Sequence, residues 1–215
     1  MFRQKDQVVT VRLLFLSIIL GAMIASIVGS FSIPATDLLF GSLTELQRTV
    51  WIEIRLPRVI LSGLVGASLG LSGAALQGLF RNPLADPGLI GVSAGAALGA
   101  AIVIVLTSEL SIPSSLELVL LPLAGIIGAS MVTLLLFLFS RGFGYQGVTY
   151  LLLIGIAVNA IASVGIGILT YISTDSELRS LTFWTMGSFG GVTWSVLMPA
   201  MFLMILSFFF MLPAR

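Results

Sequence analysis

The sequence predicts an all-α, polytopic membrane protein with about six transmembrane helices. Three observations carry this prediction. The chain is 58% hydrophobic and 9% charged, with a mean hydropathy of +1.15, whereas water-soluble domains carry about 25% charged residues. Six apolar, charge-free segments follow one another along it, each close to the roughly 20 residues that cross a bilayer as a helix. None alternates with period two. In hydrocarbon only helices and closed barrels satisfy their backbone groups, so these segments are predicted to be helices.

The first segment, Leu13–Phe31, follows Arg3, Lys5 and Arg12. That is the charge pattern of a secretory signal, but the apolar run is too long for one and five more spans follow, so a retained helix is expected. The connection Ser32–Glu53 contains Pro34, Asp37 and a short amphipathic run, Leu43–Trp51, which predicts an interfacial helix. The second span, Val59–Phe80, is separated by the polar turn Arg81–Pro87 from the third, Gly88–Thr107. The fourth is Leu118–Phe139, and the fifth, Val148–Ile172, begins after Arg141 and a glycine-rich stretch. In Ser173–Val192, Asp175-Ser176-Glu177 reads as a helix start. The sixth span is Thr193–Leu212. Trp51, Trp184 and Trp194 fall near predicted interfaces, as aromatic belts do. No soluble domain, linker or low-complexity segment is visible, so residues 1–215 read as a single transmembrane domain.

Lys and Arg placement orients the spans. With the N-terminus inside, Arg3, Lys5, Arg12, Arg81, Arg141 and Arg215 are cytoplasmic, and Arg48, Arg55, Arg58 and Arg179 are outside. Both termini are then cytoplasmic. The chain has no Cys and no His, which excludes a disulfide framework and thiolate or imidazole metal ligation. Any metal in a substrate would have to arrive already chelated. A net charge of +1 gives no electrostatic support for nucleic-acid binding. The chain has no G-x-x-x-x-G-K-[ST] loop, so no ATP site is expected in it.

Several residues stand out against this apolar background. Gly66 and Gly70, and Gly91, Gly95 and Gly99, are spaced four apart. Such spacing lets helix backbones approach closely and predicts tight packing, or a rigid frame around a pathway. In the turn, Pro83 and Pro87 break helix at both sides. Asn82 can cap, and Asp86 can serve the following N-terminus. The turn reads as a capped cytoplasmic loop. The alternative, an Asn-Pro-x-Ala half-helix of an aquaporin-like channel, would need a second inverted copy, which is absent, and Gly88–Thr107 is expected to be a full span. Arg55 and Arg58 precede the second span on the outer side. They either snorkel or present forks for bidentate carboxylates. Asn159 lies well inside the fifth span, where a polar group faces a bundle interior or a cavity.

The stretch Arg55–Gly99 closely resembles the permease subunits of FecCD/BtuC-like ABC importers, which take up iron-siderophores, haem and cobalamin. The motif Asn82-Pro83-Leu84-Ala85-Asp86-Pro87-Gly88-Leu89-Ile90-Gly91 matches that family's x-N-P-L-A-x-P-x-x-L/I-G block, and Gln77 just upstream also matches. The resemblance runs to Arg215, and it implies a BtuC-like permease lacking the C-terminal helices and the coupling element, since such permeases have about ten spans. It further implies an import role for iron(III)-siderophore or a related metal chelate, with alternating access driven from outside this chain.

In that family Arg55 and Arg58 would dock the substrate-binding protein. Asn82, Pro83, Asp86, Pro87, Val148 and Thr149 would form a cytoplasmic hinge and gate, and Gln77, Gly91, Gly95 and Asn159 would serve the pathway and its packing. The implied partners are a cytoplasmic ABC ATPase dimer carrying ATP and Mg, an extracytoplasmic substrate-binding protein, a second permease copy or paralogue, and the lipid bilayer of the cell membrane. Alternatives are an inactive truncated permease, a standalone six-helix channel or secondary transporter, and an intramembrane enzyme. A secondary transporter would be expected to show an internal repeat. An intramembrane enzyme would need convergent polar groups within spans. The sequence has neither.

Overall fold

A computed structural model describes residues 4–107, 113–140 and 147–211. Among these residues all regular structure is helical: α1 (Gln4–Ile27), α2 (Ala35–Phe40), α3 (Glu45–Thr49), a π-helical segment (Val50–Arg55), α4 (Leu56–Phe80), a 3-10 turn (Pro87–Ile90), α5 (Val92–Leu106), α6 (Ser114–Ser140), α7 (Gly147–Ile172), α8 (Asp175–Met186) and α9 (Trp194–Met211). Five helical stretches are long and apolar enough to cross a bilayer, and a sixth apolar helix, α5, is shorter. Large apolar side chains stand exposed along them, among them Phe15, Ile18, Met131, Ile161 and Phe202. That is how a surface in contact with hydrocarbon looks and how a water-facing one does not. Arg3, Arg141 and Arg215, used above for orientation, lie outside the described residues, as does the rest of the stretch 141–146.

Three boundaries depart from the hydropathy reading. α1 starts within the charged N-terminal stretch and ends at Ile27, short of the expected Phe31. The run Leu43–Trp51 is not a separate interfacial helix. Thr44 caps α3 in a capping box with Gln47, and the helix then runs unbroken from Glu45 to Phe80, 36 residues. Finally, Gly88–Thr107 is not a full span. Pro87 opens a 3-10 turn, Gly91 closes it at φ 85°, and α5 begins only at Val92. Its 15 residues reach about 22 Å at 1.5 Å per residue, against a hydrocarbon core of about 30 Å.

The π-helical turn has a local cause. Pro57 has no N–H and its ring crowds the carbonyl four residues back, at Glu53. The helix widens just before it, and the Leu56 N–H donates to the Trp51 carbonyl, five residues back.

The chain divides into two compact units, 1–69 with 189–215 and 70–188. In the first, Leu197 and Pro57 are fully buried, accompanied by Ile33 and Val192. The Trp194 indole Nε1 donates to the Ile52 carbonyl in the π segment at 3.0 Å, tying α9 to it. In the second unit α5 is the centre, packed on α6, α7 and α8. Ala101, Val105, Leu169 and Leu181 form one apolar cluster there. Ile90, Val132 and Leu136 form another, covered by Leu76, Phe80, Leu151, Ile154 and Val158. α8 begins at Asp175, as read from the sequence, with Thr174 as its N-cap in a capping box with Glu177.

Candidate functional site

The hinge is built by caps. The Asn82 N–H continues from the helix end to the Gln77 carbonyl at 3.1 Å, and the Ala85 N–H donates to the Asn82 carbonyl at 3.1 Å, closing a turn around Pro83 and Leu84. The Asn82 side-chain Oδ1 accepts from Leu84 N–H at 2.9 Å. Asp86 caps the 3-10 turn, its Oδ1 accepting from Gly88 N–H at 2.7 Å. Asn82, Pro83 and Asp86 are exposed and Pro87 half-buried. Arg81 takes up a left-handed φ of 48° to leave α4. Gln77 is exposed in the last turns of α4, with its backbone carbonyl engaged by the hinge.

Beyond Asp86 the hinge turns inward. Ile90 and Gly91 are buried, and α7 lies against them. Gly91 is required twice: its φ of 85° is a glycine conformation, and a Cβ there would stand 3.1 Å from the Gly155 carbonyl and 3.0 Å from a Val158 methyl. Gly155 is tighter still, since a Cβ would meet the Leu89 carbonyl at 2.4 Å and Ile90 Cα at 2.8 Å. One turn further along α7, half-buried Asn159 donates through Nδ2 to the carbonyls of Gly88 at 3.1 Å and Leu89 at 3.4 Å. Asn159 therefore binds the hinge backbone. Val148 and Thr149 lie at the start of the same helix, half-buried and exposed respectively.

Gly95 is buried in the α5–α6 seam. A Cβ on it would come within 2.7 Å of the Gly128 carbonyl, and one on Gly128 within 2.1 Å of the Gly95 carbonyl. This is backbone-to-backbone packing, the structural outcome of the glycine spacing. Gly128 was not singled out from the sequence. Gly155 does sit four residues before Asn159, the spacing that puts both on one helix face.

The two arginines separate. Arg58 is exposed and lines a cleft of about 520 Å³ in the first unit, alongside Val28, Phe31, Ile54, Val59 and Phe189, with no carboxylate among the lining residues. Arg55 borders the same cleft but is buried, 8% exposed. Its guanidinium donates to the Ser26 carbonyl at 3.2 Å and to the carbonyls of Ile27 and Phe31. These groups belong to the last turn of α1 and the residues just past it, where carbonyls have no helical donor. The docking expectation therefore divides: the geometry makes Arg55 a C-terminal clamp for α1, and Arg58 presents its charge outward. Among the described residues no cluster of metal-binding side chains occurs.

The chain thus has the character of a helical membrane protein, with a capped Asn-Pro-Leu-Ala-Asp-Pro hinge held against α7. The model of the FecCD transport family matches residues 11–215, and the chain belongs to that family. It is similar to the hemin transport system permease protein HmuU of Yersinia pestis, 43% identical over 188 residues, 87% of this chain and 55% of that protein. It is also similar to the vitamin B12 import system permease protein BtuC of Salmonella typhi, 46% identical over 145 residues, 67% of this chain and 42% of that one. A solved inward-facing structure of a metal-chelate type ABC transporter superposes with a TM-score of 0.75 at 33% identity, covering 90% of this chain and 57% of the other. The chain thus spans about half the length of the relatives it matches. Both named relatives are permease components of transport systems.

Proposed function

We propose that the chain is the N-terminal part of the permease subunit of a binding-protein-dependent ABC importer for a metal chelate, with iron(III)-siderophore the favoured cargo and haem or cobalamin as alternatives. The observation that carries this reading is the family match over residues 11–215, which includes the capped hinge. In this reading the permease sits in the cell membrane with both termini cytoplasmic. A loaded substrate-binding protein docks outside through carboxylates on Arg58, a cytoplasmic ATPase dimer binds ATP and Mg, and the pathway between two permease copies switches orientation. The hinge residues Asn82, Pro83, Asp86 and Pro87, with Val148 and Thr149, form the cytoplasmic gate. The cleft beside Arg58 supports the docking step: an unopposed guanidinium at an apolar rim is suited to bidentate carboxylate recognition.

The test is accumulation in proteoliposomes holding the permease and its ATPase, with iron-siderophore, haem and cobalamin offered separately in the presence of the binding protein. ATP-dependent uptake of one of them is expected. Uptake that proceeds without ATPase or binding protein would instead identify a standalone channel or secondary transporter. Arg58→Glu is expected to weaken binding-protein docking at least tenfold while leaving the fold intact. Unchanged docking affinity would remove Arg58 from that role.

A further inference from the structure

Asn159 holds the hinge in a way that pathway lining does not explain. The cavity of about 500 Å³ along this part of α7 is walled by its neighbours Val158, Ile161 and Ala162, and not by Asn159. The amide instead donates to two successive carbonyls, Gly88 and Leu89, 71 and 70 residues earlier in the chain. Three residues on one face of α7 grip the same short turn. Gly155 lets the backbones touch, Val158 packs on Gly91, and Asn159 supplies the donor. A 3-10 turn of four residues has few internal hydrogen bonds, and carbonyls in an apolar surrounding need a donor. The anchored turn continues directly into Gly91 and α5, and the anchoring helix begins with Val148 and Thr149.

We propose that Asn159 is a positioning residue that latches the hinge to α7, so that the 3-10 turn and the N-terminal half of α7 move as one body when the gate switches. The latch itself is a property of this chain. That it moves with the gate rests on the permease reading above.

Two measurements separate the two statements. The first is hydrogen exchange of the permease in lipid nanodiscs, which needs no transport. In Asn159→Leu, which keeps the volume and removes the donor, and in Asn159→Ala, the amides of segment 86–91 are expected to exchange about fivefold faster, the change that follows from losing one net hydrogen bond. Exchange in α6 and the C-terminal half of α7 should stay unchanged. Unaltered exchange at 86–91 in both variants, or equal acceleration throughout α5, α6 and α7, would overturn the latch. The second uses the absence of cysteine from the sequence. Spin labels on Leu84→Cys and Thr149→Cys report one distance with no background labelling from residues 1–215. One narrow distribution, the same in nucleotide-free and ATP-trapped complexes and broadened by Asn159→Leu, is expected. A distance that changes between those states in the parent protein would overturn the coupled motion. If no ATPase complex forms, the permease reading fails while the exchange experiment still decides the latch.

Discussion

Replacing Arg55 distinguishes a clamp from a docking residue. The guanidinium donates to three backbone carbonyls, those of Ser26, Ile27 and Phe31, while 92% of the side chain's surface is removed from solvent, its exposure being 8%. Hydrogen bonds to a charged group contribute about 1.5–3 kcal/mol each, and a cation at a helix C-terminus adds about 0.3–1 kcal/mol. Desolvation of the buried charge offsets much of that sum. Arg55→Met removes the charge together with the donors, so no unpaired cation remains and the loss is that of the carbonyl caps. A destabilisation of about 2–4 kcal/mol is expected, within the range of substitutions that break a buried network. For a chain of this size it lowers the melting temperature by roughly 5–10 °C. Arg55→Lys keeps the charge, but one ammonium lacks the planar fork that reaches three acceptors, so an intermediate loss of about 1–2 kcal/mol is expected. Thermal unfolding in mild detergent reads the effect, and proteolysis between α1 and α2 should accelerate in parallel. If Arg55→Met melts within 1 °C of the parent yet abolishes binding-protein docking, the clamp is wrong and the arginine acts outward.

Four further changes test neighbouring parts. Gly128→Ala forces a Cβ to within 2.1 Å of the Gly95 carbonyl; backbone there cannot yield as a side chain can, so α5 and α6 must part, and a stability loss of about 2–3 kcal/mol is expected from disrupted packing, read by detergent unfolding. Gly155→Ala, with its Cβ 2.4 Å from the Leu89 carbonyl, should displace the hinge and expose segment 86–91 to exchange more than Asn159→Leu does. Asp86→Ala removes the acceptor of the Gly88 N–H and is expected to cost about 1 kcal/mol, visible as local exchange in the 3-10 turn with the melting temperature nearly unchanged. Thr174→Ala breaks the capping box of α8; about 1 kcal/mol of local stability is expected to be lost, with the first turn of that helix fraying in hydrogen exchange.

Hydropathy was sufficient to read the long spans, because an apolar helix in lipid needs only composition and length. α7 and α9 begin and end within a residue of the segments read as Val148–Ile172 and Thr193–Leu212. It could not read Gly88–Thr107 correctly, because Gly88, Leu89 and Ile90 are as apolar in a 3-10 turn as in an α-helix; only the pairing of Pro87 with Gly91 marks the change. For the same reason Leu43–Trp51 looked like a separate amphipathic piece: Pro57 and its π-helical accommodation do not stop the helix. The hinge caps at Asn82 and Asp86 were legible because their partners lie two residues away. The partners of Arg55 lie 24 to 29 residues away, and those of Asn159 are 70 and 71 residues away. No local pattern encodes a contact at that separation, so both residues could be recognised as unusual without their roles being visible.

Three polar side chains in this apolar chain have a common target. Arg55 donates to carbonyls at the end of α1, Trp194 to one in the π-helical segment, and Asn159 to two at the 3-10 turn. Each target is a place where the backbone leaves regular α-geometry and a carbonyl loses its helical donor. Water would satisfy such a group in a soluble protein. In hydrocarbon an unsatisfied group costs several kcal/mol, so irregular backbone persists only where a side chain replaces the missing donor. A buried donor in a membrane helix therefore points to a break in a neighbouring helix as readily as to a substrate. Breaks are also where a helical bundle can bend without losing hydrogen bonds along a whole span. Of the three, the π-helical segment receives one indole bond and the 3-10 turn two from one amide, whereas the end of α1 is held by a three-pronged cation. If one of these breaks rearranges while the others stay fixed, the number of donors argues against its being the end of α1.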